Sequence, residues 1–408
     1  MLRDLPPNGR YAVMLEPLWA VLGTSTIYYL AFYMKDTGLT AWQIGLVLSV
    51  NLWMAFLVQL ISGTITDRMG RRRATLVFDV VAWTIPMLLW AVAQDFWVFL
   101  LAYVFNAWSR VPNVASRLLA TEDAAPEDRP RVFAGIRLLL AVSGLVTPMI
   151  GLAMTRWGAQ PTLRTMFVVG CGTMLCHALL RNRLMTETAT GSAAMRAPRT
   201  GRVVTVAFRN LGTFLRRFPV LWPLILLVGL NSLALQLNVF QVVYLVDRGF
   251  GTAQIALLPA VAAAAALPCL SLLRSRVPTG SLEKRVAIAA ATSALGWLVF
   301  VAAPGVALLV VSTALVTVGS VLMDAHLDVL SLGSLDERDR AEGMSALQTL
   351  TALVAIPSGS LAALVYTNGP ALLFVLIALC HVGAAGLALV MRSRAGQSAD
   401  EPSARTIG

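Results

Sequence analysis

The sequence predicts an all-α membrane protein with twelve transmembrane helices in two pseudo-symmetric six-helix bundles, and three observations carry that prediction. The first is composition: of 408 residues, 57% are hydrophobic and 13% charged, whereas a soluble domain is about 25% charged. The mean hydropathy is +0.73. So little polar surface cannot coat a globule of this length, which excludes an ordinary cytosolic enzyme and a disordered chain. The second observation is a series of apolar runs long enough to cross a bilayer, and the third is an internal repeat. Basic residues outnumber acidic ones 32 to 21, a net charge of +11. On a soluble domain that excess would suggest nucleic acid, so the placement of the charges has to decide.

A helix needs about 20 apolar residues to cross the hydrocarbon core. The first run, 12–34, has Glu16 as its one charged residue and leads straight into another span. It is too long for a removable leader and lacks a small-residue cleavage site. The second, 43–65, ends at a loop carrying Arg68, Arg71, Arg72 and Arg73. The third, 74–94, and fourth, 96–118, are divided only by Gln94-Asp95, a tight hairpin without which one helix would be far too long. The fifth, 132–155, follows Arg129 and Arg131, and the sixth is 163–181. The long segment 182–219 comes next, with Gly191-Ser192, Pro198-Arg199 and seven arginines. The seventh run, 220–246, is unusually polar, and the eighth is 252–272. A loop with Arg274, Arg276, Lys284 and Arg285 precedes the ninth, 286–303. Ala303-Pro304-Gly305 separates that from the tenth, 305–330. The eleventh, 343–366, follows Arg338 and Arg340; the twelfth, 370–391, is followed by Arg392 and Arg394.

Every second loop is therefore arginine-rich, while the loops between hold little beyond Lys35, Arg156, Arg164 and Arg248. By the positive-inside rule both termini and segment 182–219 are expected in the cytoplasm. The +11 charge is then a topology signal that also favours anionic lipid headgroups, and nucleic acid is not an expected partner. The four cysteines, Cys171, Cys176, Cys269 and Cys380, lie in apolar runs without metal-ligand spacing and read as buried spectator thiols.

The repeat is visible around two loops. Tyr33, Asp36, Gly38, Gln43 and Ile44 recur as Tyr244, Asp247, Gly249, Gln254 and Ile255, all at one offset. A fainter echo links Arg129, Arg131 and Gly135 to Arg338, Arg340 and Gly343. Each half has an even number of spans, so the two share one orientation, as in transporters built from parallel repeats. The expected organisation is an N-terminal bundle over 1–181, a cytoplasmic central loop over 182–219, a C-terminal bundle over 220–392 and a disordered cytoplasmic tail over 393–408.

Between the second and third spans stands Gly63-Thr64-Ile65-Thr66-Asp67-Arg68-Met69-Gly70-Arg71-Arg72-Arg73. This resembles the signature loop of the major facilitator superfamily, G-x-x-x-D-R-x-G-R-R, at the expected loop. With the spans, the repeat and the central loop, the resemblance covers essentially the whole chain. It implies that Gly63, Asp67, Arg68, Gly70 and Arg71 form a conformational latch on the cytoplasmic side. Physically, Gly63 would permit close helix approach and Gly70 a tight turn, while Asp67 would accept from donors at the N-terminus of a helix in the other half. The corresponding loop of the second half, Arg274 to Arg285, lacks the pattern. Family members that export by antiport carry a Gly/Pro pattern in the fifth span. Here it is reduced to Ser143-Gly144-Leu145-Val146-Thr147-Pro148-Met149-Ile150-Gly151-Leu152, with Pro148 and Gly151 in place.

Charges inside spans are costly and mark functional candidates. Asp324 is the leading candidate for a proton carrier, with Glu16, Asp79 and Asp328 beside it. Asp324 and Asp328 share a face at i, i+4, as do Arg110, Asn113 and Arg117 at i, i+3, i+7. His326 is expected off the carboxylate face. Arg110 and Asn113, with Asn231, Gln236, Asn238 and Gln241 of the seventh span, are the substrate-cavity candidates. Asn231, Asn238 and Gln241 form a stripe, with Gln236 off it. Amides there suit either a polar solute or interhelical bonding. Trp19, Tyr28, Trp53 and Trp108 are either aromatic contacts or interface anchors, and His177 and His381 are read as structural.

No nucleotide-binding lysine loop, zinc-protease histidine pair or nucleophile triad is present, so neither an enzyme nor a cofactor is expected. The resemblance implies a monomeric multi-pass protein of the inner or plasma membrane. It would be a secondary active transporter that exports a small amphipathic compound by proton antiport and alternating access. The alternatives are uptake or facilitated movement of a sugar-like or anionic metabolite, and a non-transporting sensor with the same fold.

Overall fold

A computed structural model describes residues 5–125, 128–196, 222–275, 281–333 and 340–400, and among these residues there is no strand. The helices are α1 (Pro7–Asp36), α2 (Ala41–Met69), α3 (Arg71–Val92), α4 (96–121), α5 (Arg129–Trp157), α6 (Ala159–Leu184) and the short α7 (Ala189–Arg196). Then follow α8 (Trp222–Asp247), α9 (Thr252–Ser275), α10 (Leu282–Ala302), α11 (Val306–Gly333), α12 (Arg340–Ala355), α13 (Ser358–Asn368) and α14 (Pro370–Asp400). Among the described residues, ten helical stretches are long and apolar enough to cross a membrane. The two other long stretches, α1 and α4, match them in length but carry Arg10, Glu16 and Pro17 in one case and Asn106, Arg110 and Asn113 in the other.

Three sequence expectations need correction. The run 343–366 is not one helix: it breaks at Ile356-Pro357, because proline disfavours helical geometry in the residue before it and cannot donate to the ladder. Segment 182–219 is not loop throughout, since α7 forms inside it and α6 extends to Leu184. Its part from 197 to 219 lies outside the described residues, as do 276–280, 334–339 with Arg338, and 401–408. The last helix runs to Asp400, past the expected boundary at 392. As to the thiols, only Cys380 is buried and Cys176 is exposed.

Several long helices are locally re-wound. A π-helical turn, Val80–Thr84, interrupts α3 directly after Asp79. Tight 3-10 turns interrupt α4 at Ala107–Ser109, α5 at Gly144–Val146 and α8 at Asn238–Phe240. Such turns free backbone groups that a neighbour has to satisfy when no water is at hand. In α3 the carbonyl of Ala82 accepts from the Asn106 side chain of α4 at 2.9 Å.

The two repeat loops share their local structure. After α1, the N–H groups of Thr37, Gly38 and Leu39 donate to the carbonyls of Tyr33, Lys35 and Met34; after α8, Arg248, Gly249 and Phe250 donate to Tyr244, Val246 and Leu245 in the same pattern. Gly38 and Gly249 both take positive φ, 99° and 85°, as the αL position after a helix favours. Gln43 then accepts from the Thr40 N–H and Gln254 from the Gly251 N–H. Gly and Gln of the repeat thus recur because each end-of-helix turn needs the same parts.

The chain forms two compact units. Unit 1 comprises Met1–Phe208, Val239–Ala263 and Ile356–Thr367. Its interior holds Tyr33 against Phe99 and Phe167, and Trp90 against Tyr103 and Phe167. The later segments reach it through small residues. Gly359 lies so close to α2 that a Cβ would stand 2.6 Å from the Gly45 carbonyl, and Ser49 and Ser360 hydroxyls meet at 2.9 Å. A Cβ on Gly144 would stand 2.7 Å from the Pro259 carbonyl. Unit 2 comprises Arg209–Asn238, Ala264–Ala355 and Asn368–Gly408. Its core joins Leu224 and Leu227 of α8 to Val286 and Ala290 of α10, Met323 and Leu327 of α11, and Ala384 and Ala388 of α14. Both units turn large apolar side chains outward: Trp97, Met149, Leu152 and Val168 on one, Leu226, Ile288, Leu372 and Leu379 on the other. An aqueous surface rarely tolerates that, and hydrocarbon favours it.

Candidate functional site

The signature loop is the most densely bonded polar site in unit 1. Gly70 ends α2 and starts α3 at φ 80°, ψ 155°, a region essentially confined to glycine. The turn swings the Arg71 side chain back over α2. Its Nη1 donates to Asp67 Oδ1 at 2.8 Å, and its Nε and Nη2 donate to the Glu122 carboxylate at the end of α4. Arg71 is buried. Glu187, just after α6, accepts the first two N–H groups of α3, from Arg71 at 3.0 Å and Arg72 at 2.9 Å. A carboxylate there answers both the unpaired donors and the positive end of the helix. Arg72 Nε reaches the Asn182 carbonyl at 2.6 Å. Thr188 donates to Glu122 at 2.5 Å and accepts from the Gly191 N–H at 2.9 Å, capping α7. Asn8 clamps Thr186 through both its amide atoms.

Of the five latch residues, the structure therefore joins Asp67, Gly70 and Arg71. Arg68 and Gly63 are exposed, and a Cβ at Gly63 would meet nothing within 4 Å. Close helix approach is not the use this structure makes of Gly63. Among the described residues the partner of Asp67 is Arg71, one turn away, rather than a helix N-terminus. Sequence reasoning missed Glu122, Glu187 and Thr188. The Thr-Glu-Thr-x-x-Gly run at 186–191 carried a capping signal that a central loop concealed.

A second polar cluster lies within the helices of unit 1. Arg181 Nη1 of α6 donates to Asp79 Oδ2 of α3 at 3.0 Å, with the two side chains 11% and 10% exposed. Glu16 of α1 lies within coulombic reach of both. Trp19, close after Glu16, meets Trp83 of the π-helical turn edge-on, with centroids 5.2 Å apart. His177, one turn before Arg181, is buried within coulombic reach of it. The structure thus brings together two carboxylates that the sequence offered separately and adds Arg181, which it had not singled out.

Elsewhere in unit 1, Arg110 opens the helical stretch after the 3-10 turn of α4, half-buried. It makes no ion pair among the described residues. Asn113 and Arg117 are exposed on α4. In unit 2, Asn231 Nδ2 donates to Asp324 Oδ1 at 3.1 Å, which ties a cavity candidate to a proton candidate. Asp324 and Asp328 lie on the exposed face of α11 and His326 on the buried one, as helical spacing predicts. Gln236 is exposed, and the Asn238 Oδ1 is buried without a hydrogen-bond partner among the described residues. The 3-10 turn at 238–240 changes the rotation per residue, so Asn231 and Gln241 do not continue one α-helical stripe. Among the described residues, no group of three or more His, Cys, Asp or Glu is placed to hold a metal.

Against known proteins, residues 19–359 match the family model described as Major Facilitator Superfamily. No curated protein matches the chain. Among solved structures, the nucleoside transporter NupG is similar at a TM-score of 0.74 and 14% identity, over 95% of this chain and 99% of that one. A POT family transporter in complex with 5-aminolevulinic acid is similar at 0.74 and 14%, over 96% and 99%. A bacterial homolog of the human lysosomal transporter Spinster, in an inward-facing and occupied conformation, is similar at 0.65 and 15%, over 96% and 98%. At such identities these likenesses speak to the fold.

Proposed function

The chain belongs to the Major Facilitator Superfamily and is a transporter rather than an enzyme, and we propose that it exports a small amphipathic compound by proton antiport and alternating access. In this reading α1 and α4 also cross the bilayer, making twelve spans in two bundles. The bundles, central segment and tail divide near 181, 219 and 392, with α6 and α14 running past the first and last of these bounds. Both termini are cytoplasmic, the membrane is the inner or plasma membrane, and the protein works as a monomer.

One observation carries the coupling. Asp324 is a carboxylate inside an apolar helix, bonded by the neutral amide of Asn231. A carboxyl that an amide can bond in either protonation state, set in a span, suits a group that takes up and releases protons. Asp328, one turn on, and Glu16 and Asp79 in unit 1 are the other carriers. Export is supported by the fifth-span stretch, which keeps Pro148 and Gly151 of the export pattern: Gly151 sits against the backbone of α9 at Thr252, where a Cβ would stand 3.0 Å from the carbonyl oxygen. A small residue there keeps the seam tight.

The second reading, movement of a sugar-like or anionic metabolite, is favoured by Arg110. A half-buried guanidinium with no ion pair among the described residues suits a carboxylate or phosphate on a solute. Asn113, Asn231, Gln236, Asn238 and Gln241 would supply amides in either case, and the latch residues Gly63, Asp67, Arg68, Gly70 and Arg71 would gate access.

The test is a thermal-shift screen of the purified protein against amphipathic cations, sugars, nucleosides and small carboxylates. Transport of the stabilising compound is then driven by an imposed pH gradient in proteoliposomes. Gradient-driven movement of an amphipathic cation is expected, with Asp324→Asn losing the pH-dependent component. Stabilisation by anions alone, lost in Arg110→Gln, would replace export with the second reading.

A further inference from the structure

The cluster on α1, α3 and α6 has an unbalanced charge count. Asp79 and Arg181 are buried and paired. Glu16 stands within reach of the same guanidinium. Glu16 from α1 lies within coulombic reach of Asp79 from α3 and Arg181 from α6, and His177 from α6 lies within reach of Arg181. Among the described residues, no ion pair joins a group of α4 or α5 to them. Two carboxylates therefore face one permanent cation. An uncompensated charge among helices costs several kcal/mol, so full ionisation would leave a net negative charge without a counter-ion.

Unused hydrogen-bonding capacity points the same way. Arg181 Nε and His177 Nε2 are buried with no hydrogen-bond partner among the described residues. Arg181 spends one nitrogen on Asp79 and keeps a donor free for a second carboxylate. Both helices that carry the carboxyls are also irregular beside them: Pro17 follows Glu16, and the π-helical turn begins right after Asp79. Such irregularities give a helix local freedom and recur at functional positions.

We infer that Glu16, Asp79 and Arg181 form a one-proton site in which the guanidinium neutralises either carboxylate in turn while the other carboxyl holds the proton. In the state seen here Arg181 pairs with Asp79 and the proton is on Glu16. In the exchanged state the O–H bond on Glu16 breaks, one forms on Asp79, and Arg181 pairs with the Glu16 carboxylate. Charge and proton count are the same in both. His177 is a neutral neighbour. The site deepens the proton-coupled reading above: it assigns the exchangeable proton to unit 1 and makes Arg181 a positioning residue.

A pH titration of the protonated-carboxyl C=O stretch, by infrared spectroscopy on the full-length protein in nanodiscs, tests this with protons as the only probe. Wild type is expected to show one protonated carboxyl at neutral pH that Glu16→Gln abolishes. Asp79→Asn is expected to abolish it too, because the freed guanidinium then takes Glu16 as its carboxylate. Arg181→Lys keeps the single band, Arg181→Gln doubles it, and Asp324→Asn leaves the Glu16 band intact. Persistence of the band in Asp79→Asn overturns the exchange, as does its absence from wild type. These isosteric carboxyl variants decide the matter even if Arg181→Gln does not fold. The titration uses no solute, so its failure leaves transport coupled through Asp324 standing, and a transporter that moves no protons leaves the site standing.

Discussion

Two charged sites lie at opposite ends of α2, about 43 Å apart by the rise of its 29 residues. At one end Arg71, its side chain 5% exposed, bridges Asp67 and Glu122. At the other, Lys35 meets Asp247, with side chains 41% and 36% exposed, and Tyr366 donates to the same carboxylate at 2.6 Å. Both join segments distant in sequence by opposite charge, yet their energetics differ. Solvent screens the Lys35 pair, and a flexible ammonium gains little from one partner. Arg71 has surrendered its hydration, so its worth lies in what would remain unpaired without it. Burial decides the consequence of losing each.

Arg71→Ala gives the largest expected effect. It leaves Glu122 without its cation, and stability in mixed-micelle unfolding is expected to fall by about 3–5 kcal/mol. Arg71→Lys recovers only part, since an ammonium cannot hold two carboxylates in a fork. Equal losses in Arg71→Ala and Lys35→Ala would break the comparison. A pair of glycines sharpens it. Gly38 and Gly70 both have positive φ, but a Cβ at Gly38 meets nothing within 4 Å, whereas at Gly70 it stands 2.6 Å from Glu187 Oε2. Gly38→Ala is expected to cost about 1–2 kcal/mol from backbone strain. Gly70→Ala is expected to cost up to about 3 kcal/mol; identical values in the same unfolding measurement would show that the Glu187 cap gives way freely. Lys35→Ala is the smallest, at about 0–1 kcal/mol and fading as salt is raised; a loss that salt does not reduce would mean the pair is less solvated than its exposure implies.

The helical class and the helices themselves were legible because apolar runs and positive loops are local signals. So were the Gly and Gln turns of the repeat and the tight turn at Gly70, whose chemistry is contained within a few residues. The partners were not. Asp79 was readable as an expensive charge, but Arg181 looked like one more arginine at the end of a span, the kind that only sets topology. Glu187 sat in what read as loop. The stripe drawn through Asn231, Asn238 and Gln241 assumed an unbroken α-helix, and the 3-10 turn at 238–240 was invisible to spacing alone.

Composition and periodicity determined that this chain is made of membrane helices, which stretches are apolar enough to form them, and which charges stand inside them. Tertiary structure alone decided which charges meet: Asp79 with Arg181 from a helix about a hundred residues away and Asn231 with Asp324. The reason is physical. A helix closes its own backbone bonds within four residues and so announces itself in local sequence, whereas a buried charge is satisfied by whichever distant helix packs beside it, and packing is a property of the whole chain.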